Sequence, residues 1–405
     1  KSQYQSLDSM ITIIQEPQQY TPAYNPMCYV VSSDNITQPS FQYVFDVWIK
    51  GVHISRHRLP PRVVTGIAML DISAIVGSYV LHDFDINSTA VDRNLSSWTD
   101  VYIRLGEEYA VSGVLTTYIN LLDTSTCYAI NASLEYIEFT KWASNTYTQG
   151  ATRKFLTNIE TPSVLSDSNL WLYFIYQTPE NISQISVNTY SSSGVGINID
   201  NFTPISLSSS NLEDTFLRVS AGTNALKMLF GNDFFDGAAY YTITIVDITS
   251  TFAFESKRIN IIDENCLYTN IPVHFLNKLG GFDLFNFKLS NTKESDIQRK
   301  NYKLNGGSFN SSNEYIYSAS DRGVVSMTTS VQDSVRCNSD WISEEENLWL
   351  KELATSPVAF AEIEGELVSI NITETKFVYN KKENKKLFNF QIAFTYGFES
   401  HRQSY

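Results

Sequence analysis

Near the C-terminal end, Phe388, Phe390, Ile392, Phe394 and Tyr396 alternate with Asn389, Gln391, Ala393 and Thr395. Successive side chains of an extended backbone point to opposite faces, so this five-fold alternation places one face of a strand in a core. A helix would scatter the same five residues around its circumference. The pattern recurs at 41–50, where Tyr43, Phe45 and Val47 alternate with polar neighbours before Trp48-Ile49. A continuous apolar run at 170–176 fits a strand covered on both faces, and 240–246 and 251–262 extend the series. Ser, Asn and Gly turns separate these runs. The expected fold class is mainly β, a multi-domain antiparallel β-sandwich and meander architecture with one clear helix near the C-terminus.

At 405 residues the chain exceeds what one core can organise, so two or three domains are expected. Sequence patterning places them at 1–155, 156–265 and 266–405. Hydrophobic residues make up 43% and charged residues 18%, with 24 Tyr and 24 Phe, enough to build large cores. The formal net charge is −14. Such a surface repels phosphate backbones and argues against sequence-specific nucleic-acid binding. It suits a wall past which DNA slides, and equally a simple solubility device. Cys28, Cys127, Cys266 and Cys337 are widely spaced without a C-x₂-C pair, which points to reduced, packed thiols rather than a zinc site. Segment 63–81 is the most apolar, but Asp71 at its middle costs roughly 2.5–3.5 kcal/mol at a bilayer centre, so no membrane span is expected. A leader could have preceded Lys1, which leaves the compartment open.

Several elements are legible individually. Residues 41–50 and 52–58 read as a hairpin ending at Pro60-Pro61. Residues 71–80 read as a short helix with Ile72, Ile75, Val76 and Tyr79 on one side, and 98–105 and 115–122 as strands. Gly280-Gly281 turns a hairpin between 273–277 and 282–289. Residues 291–320, polar with a charged patch at 293–303, read as an exposed loop or flexible arm. A helix is expected over 343–354: Ser343 with Glu346 forms a capping box, Leu348, Trp349 and Leu353 supply the apolar side, and Ser356-Pro357 stops it. Strands at 358–363, 367–379 and 387–396 follow, the first two joined at Glu364-Gly365. The tetrapeptide Asn-Leu-Trp-Leu stands at 169–172 in a strand run and again at 347–350 in the capped helix.

No metalloprotease, nucleophile-elbow, P-loop or dinucleotide-binding motif occurs. His53 and His57 lie beside Arg56 and Arg58 in a strand-like run and read as solvent-facing residues rather than metal ligands. Asp83, Asp85 and Asn87 have the alternate spacing of half a calcium loop, but Ser88 and Asn94 occupy positions where such a loop needs Gly and Glu. A strand edge burying Phe84 and Ile86 has the same spacing. Asp233 and Asp236 could form a glycosidase pair, yet Gly231 and Gly237 flank them as in a turn. The eight Asn-x-Ser/Thr sequons, beginning at Asn35, Asn87, Asn94 and Asn131, match what chance gives in a chain this rich in Asn, Ser and Thr. No catalytic, cofactor or metal residue is assigned, and the chain reads as a non-enzyme.

Three stretches carry a resemblance. They are Asn131-Ala-Ser-Leu-Glu-Tyr-Ile-Glu-Phe through Lys154-Phe-Leu-Thr-Asn158, then Phe275-Leu-Asn-Lys-Leu-Gly-Gly-Phe-Asp283 after Cys266, and Trp341 through Ser356-Pro357 with the terminal meander. As a set they resemble virion structural proteins of tailed phages that infect Bacteroidetes, including crAss-like phages. Their motifs concern packing and turns, and 159–262 carries little of the likeness. The resemblance implies a tail or neck component of the virion, assembled in the host cytoplasm. It would be a ring or hub subunit whose partners are its own copies and other tail, portal or neck proteins. The abundant aromatics suit large interfaces. The alternative reading is a secreted or cell-surface glycan-binding β-sandwich protein of a Bacteroidetes bacterium, with exposed aromatics stacking on sugars.

Overall fold

The computed structural model describes residues 11–82, 84–85, 91–148, 152–176, 182–202, 216–247, 253–262, 268–321, 323–373 and 388–402. Strands form 53% and helices 10% of the described residues, in multiple antiparallel sheets, as the apolar alternation predicts. The parallel contacts are short: Tyr20–Pro22 with Cys127–Ile130, Thr152–Arg153 with Ala253–Phe254, and Ser163–Val164 with Lys257–Ile261. Two compact units result. One comprises Lys1–Ile262 and Leu276–Asp283, the other Asp263–Phe275 and Leu284–Tyr405.

Within the first unit, strands Ile11–Gln15, Cys28–Ser33 and Ala68–Asp71 form a three-stranded sheet. A six-stranded sheet is built on Gln42–Ile49, flanked by Val52–Leu59 and Trp98–Val111. Tyr29 and Val31 of the smaller sheet share one core with Tyr43, Phe45, Val47, Val101 and Ile103 of the larger. The alternation seen at 41–50 therefore lines a sandwich interior. The helix expected over 71–80 shortens to one turn, Ser73–Val76, with Ile72, Val76 and Val80 buried and Tyr79 exposed.

Further along, a seven-stranded sheet centred on Tyr240–Asp247 and Ile182–Tyr190 accompanies a three-stranded one, in which Trp171–Ile175 pairs Phe216–Ser220. Phe174 meets Phe155 and Phe254 edge-to-face in this core, with Phe174 and Phe254 5.1 Å apart. Strand Val91–Arg93, from the region 1–155, pairs with Phe216–Ser220. A backbone ladder thus joins the regions that patterning separates at 155.

The Gly280-Gly281 turn also belongs to the first unit, although patterning places it in 266–405. Gly280 has φ +91°, and a Cβ there would lie 2.6 Å from the Asn131 carbonyl oxygen. Only glycine allows that approach. Asn277 accepts from the Leu279 and Gly281 amides and donates to the Leu156 carbonyl at 2.9 Å.

In the second unit, strands run in the order Phe282–Phe287, Ile271–Leu276, Ala359–Ile363, Glu366–Ile372, Phe388–Tyr396, Val324–Ile342 and Thr292–Lys303, with Ser400–Arg402 beside Val324–Ile342. Phe390, Ile392 and Phe394 are buried, while Asn389 and Gln391 face water. Helix Glu344–Thr355 follows its capping box: the Ser343 hydroxyl accepts from the Glu346 amide. Its Trp349 ring packs 5.3 Å from Phe275 and 6.1 Å from Phe285. The buried face differs in one respect from expectation. Leu350 and Leu353 turn inward with Trp349, whereas Leu348 is 51% exposed.

The largest departure is at 291–320. Instead of a loop, Thr292–Lys303 is a twelve-residue strand antiparallel to Val324–Ile342, its register slipping once, between Lys300 and Asn301. Backbone hydrogen bonding makes it a strand without any alternation to announce it.

Candidate interaction surface

Among the described residues, the polar side chains singled out by sequence do not converge. His53 stands opposite Trp48 in the ladder and His57 opposite Phe45, so the two imidazoles face opposite sides of the sheet. His53 Nε2 lies 3.4 Å from Asp46, and His57 Nε2 lies 2.9 Å from the Ser55 hydroxyl. Asp85 is exposed, while Asp83 and Asn87 lie outside the described residues. Asp233 and Asp236 occupy a tight turn closed by the Asp236 amide donating to the Asp233 carbonyl. Between them, Phe234 and Phe235 turn into the core against Phe230 and Tyr241. Asn94 and Asn131 are buried; Asn94 accepts from Ser97 and Asn131 donates to the Leu81 carbonyl.

Cys28, Cys127 and Cys337 are free thiols, and Cys266 lies outside the described residues. Burial raises all three, Cys337 to about 12, so they are poor nucleophiles. Among the described residues no group of three or more metal-ligating side chains comes together. Segment 63–81 holds a strand and one helical turn, and no described helix is long and apolar enough to cross a membrane.

Sequence reasoning missed a charged ladder on the outer face of the first unit's six-stranded sheet. Arg56 grips Asp46 with two bonds, 2.6 and 2.8 Å. Burial pushes the Asp46 carboxyl up, but hydrogen bonds and charge from Arg56 and His53 outweigh it and hold the group below its usual value. Arg58 pairs with Glu108 at 3.1 Å, and Arg104 stacks 4.3 Å over Trp48. Asp46 and Glu108 are thus matched by Arg56 and Arg58 across the strands.

The ribbon of Thr292–Lys303 and Val324–Ile342 is different. Every residue of Thr292–Lys303 is exposed, and this strand forms the edge of its sheet. Strand Phe388–Tyr396 supports the ribbon only over Ser334–Ile342, and Ser400–Arg402 only over 329–331. Among the described residues, 324–328 pair with Thr292–Lys303 alone. At its end, Ser308–Phe309 and Tyr315–Ile316 form a small hairpin, where the Asn310 side chain accepts from the Ser312 and Glu314 amides. Gly307 lets the Tyr315 ring come close to the backbone, since a Cβ there would lie 2.5 Å from it. Phe309, Tyr315 and Tyr317 meet edge-to-face at about 5 Å, with Phe309 71% and Tyr317 79% exposed. Ile297, Val324 and Met327 add exposed apolar surface along the ribbon. An isolated two-stranded ribbon is marginally stable in water, and apolar side chains gathered on one mark an interaction site.

Comparison with protein-family models and with curated proteins finds no match for this chain.

Proposed function

We propose that the chain is a non-enzymatic structural subunit of a tailed-phage virion, a tail or neck ring or hub component that assembles through protein–protein interfaces. The observation that supports it most is the ribbon. A twelve-residue, wholly exposed edge strand leading to an aromatic tip is a large investment in surface that its own sheet does not use. Such edges invite pairing with another chain. The likeness of 131–158, 275–283 and 341–357 to virion proteins of Bacteroidetes phages points the same way. Peptide mass spectrometry and electron microscopy of purified native particles test the reading. The expected result is this chain present in virions at ring stoichiometry; its absence, or presence only as a monomer, overturns the reading.

A second reading is a secreted or surface glycan-binding protein, and the exposed rings of Phe309 and Tyr317 favour it. Glycan-array binding lost in Tyr317→Ala would move the assignment there.

A further inference from the structure

We infer that the distal end of the ribbon docks head-to-tail onto the 340–348 surface of a second copy of this chain. The inference rests on the assembly reading above and names its partner. Both surfaces lie on the second unit, at opposite ends of one continuous strand, Val324–Ile342. At about 3.3 Å per residue, positions 324 and 341 stand roughly 55 Å apart. They cannot meet within one chain.

The two ends carry opposite chemistry. In the ladder Lys303 stands opposite Val324 and Thr292 opposite Arg336, so Arg299, Lys300 and Lys303 cluster at the distal end. All three are exposed and form no ion pair among the described residues. Tyr302, Val324 and Met327 place exposed apolar surface beside them. The tip acids are engaged locally: Glu314 accepts from Asn310, and Asp321 from the Ser318 amide.

At the root, the register with Phe388–Tyr396 slips between Asn338 and Trp341. An unbroken strand would turn one of two neighbours inward, but this bulge leaves both Asp340 and Trp341 facing water. Trp341 is 64% exposed. Helix Glu344–Thr355 begins three residues later with Glu344, Glu345 and Glu346, and presents the exposed Leu348 one turn on. Lys288 is the cation beside Asp340 and Glu346, half-buried and pulled down by its burial. The root is therefore acidic and apolar where the distal end is basic and apolar. Opposite charges steer approach and set register, while the exposed rings and aliphatic side chains supply buried area. Because the two patches differ, their contact is heterologous and generates a ring, or an open filament if rotation does not close.

Sedimentation velocity of the full chain over a concentration series, at low and high salt, tests this. The wild type should associate, less so at high salt. Arg299→Glu/Lys300→Glu/Lys303→Glu should weaken association at least tenfold, as should Asp340→Lys/Glu345→Lys. Combining both sets restores opposite charges with exchanged signs and should recover association; this recovery is what a merely misfolded variant cannot give. Near-UV circular dichroism should be unchanged throughout. Association of the wild type that both reversals leave intact, or failure of the combined variant to recover, overturns this docking while leaving assembly by another surface standing. A wild type monomeric at every concentration overturns both readings. A monomer whose arm reversal abolishes binding to anionic vesicles or to duplex DNA overturns the second-copy partner in favour of that ligand.

Discussion

The sequence Asn-Leu-Trp-Leu occurs twice and folds two ways. At 169–172 it leads into strand Trp171–Ile175, where Trp171 pairs with Ser220 and Leu172 with Val219. Leu170, Trp171 and Leu172 are 4%, 3% and 2% exposed, so both strand faces are covered. At 347–350 the same four residues lie inside helix Glu344–Thr355, which buries Trp349 and Leu350 and turns Leu348 to water. The flanks account for the choice. Tyr173, Phe174 and Ile175 extend the first copy with strand-favouring residues. Ser343, Glu346 and a run of Lys, Glu, Leu and Ala cap and propagate the second. Strand geometry exposes two faces and helix geometry a single stripe. Identical residues therefore differ in burial because their neighbours differ, and burial decides their energetic weight.

Substitutions at matching positions measure that difference. The largest effects are expected at the tryptophans. Trp171→Ala removes a ring packed 5.1 Å from Phe84, and Trp349→Ala one packed against Phe275 and Phe285. Each should cost roughly 3–5 kcal/mol, read from chemical denaturation midpoints; an unmoved midpoint in either would show that this ring is not docked. The leucines should separate the copies. Leu170→Ala is expected to lose roughly 2–4 kcal/mol and Leu348→Ala to stay within about 0.5 kcal/mol. Equal losses at the two sites would break the comparison outright. The smallest effect isolates the flank. Ser343→Ala removes the hydroxyl that accepts from the Glu346 amide and should cost about 1 kcal/mol of helix stability. Amide exchange over 344–347 should quicken while exchange in Trp171–Ile175 is unchanged.

The candidate surface was less legible than the fold. Thr292–Lys303 reads Thr-Lys-Glu-Ser-Asp-Ile-Gln-Arg-Lys-Asn-Tyr-Lys, with no apolar face. Sequence patterns report burial, and a strand exposed on both faces has none to report. Its exposure and its composition were foreseeable as an arm; its ladder with Val324–Ile342 was not. Trp341 carried no signal either, because a bulge rather than its own identity turns it outward. The charged ladder of Asp46, Arg56, Arg58 and Glu108 joins residues up to 50 positions apart, and nothing local marks them as partners.

By itself the sequence determined the strand and helix content wherever one face is buried: the alternation at 388–396, the hairpin at 41–58, the capped helix after Ser343. Local hydrogen bonding and the water-avoidance of apolar side chains operate over a few residues, so their record is written along the chain. Tertiary structure alone decided which strands became neighbours, that Val91–Arg93 joins Phe216–Ser220, that Gly280-Gly281 packs into the first unit, and that a charged segment became the edge of a ribbon. Those outcomes depend on backbone pairing and close approach between distant residues, which carry no side-chain periodicity and leave no mark in the order of the amino acids.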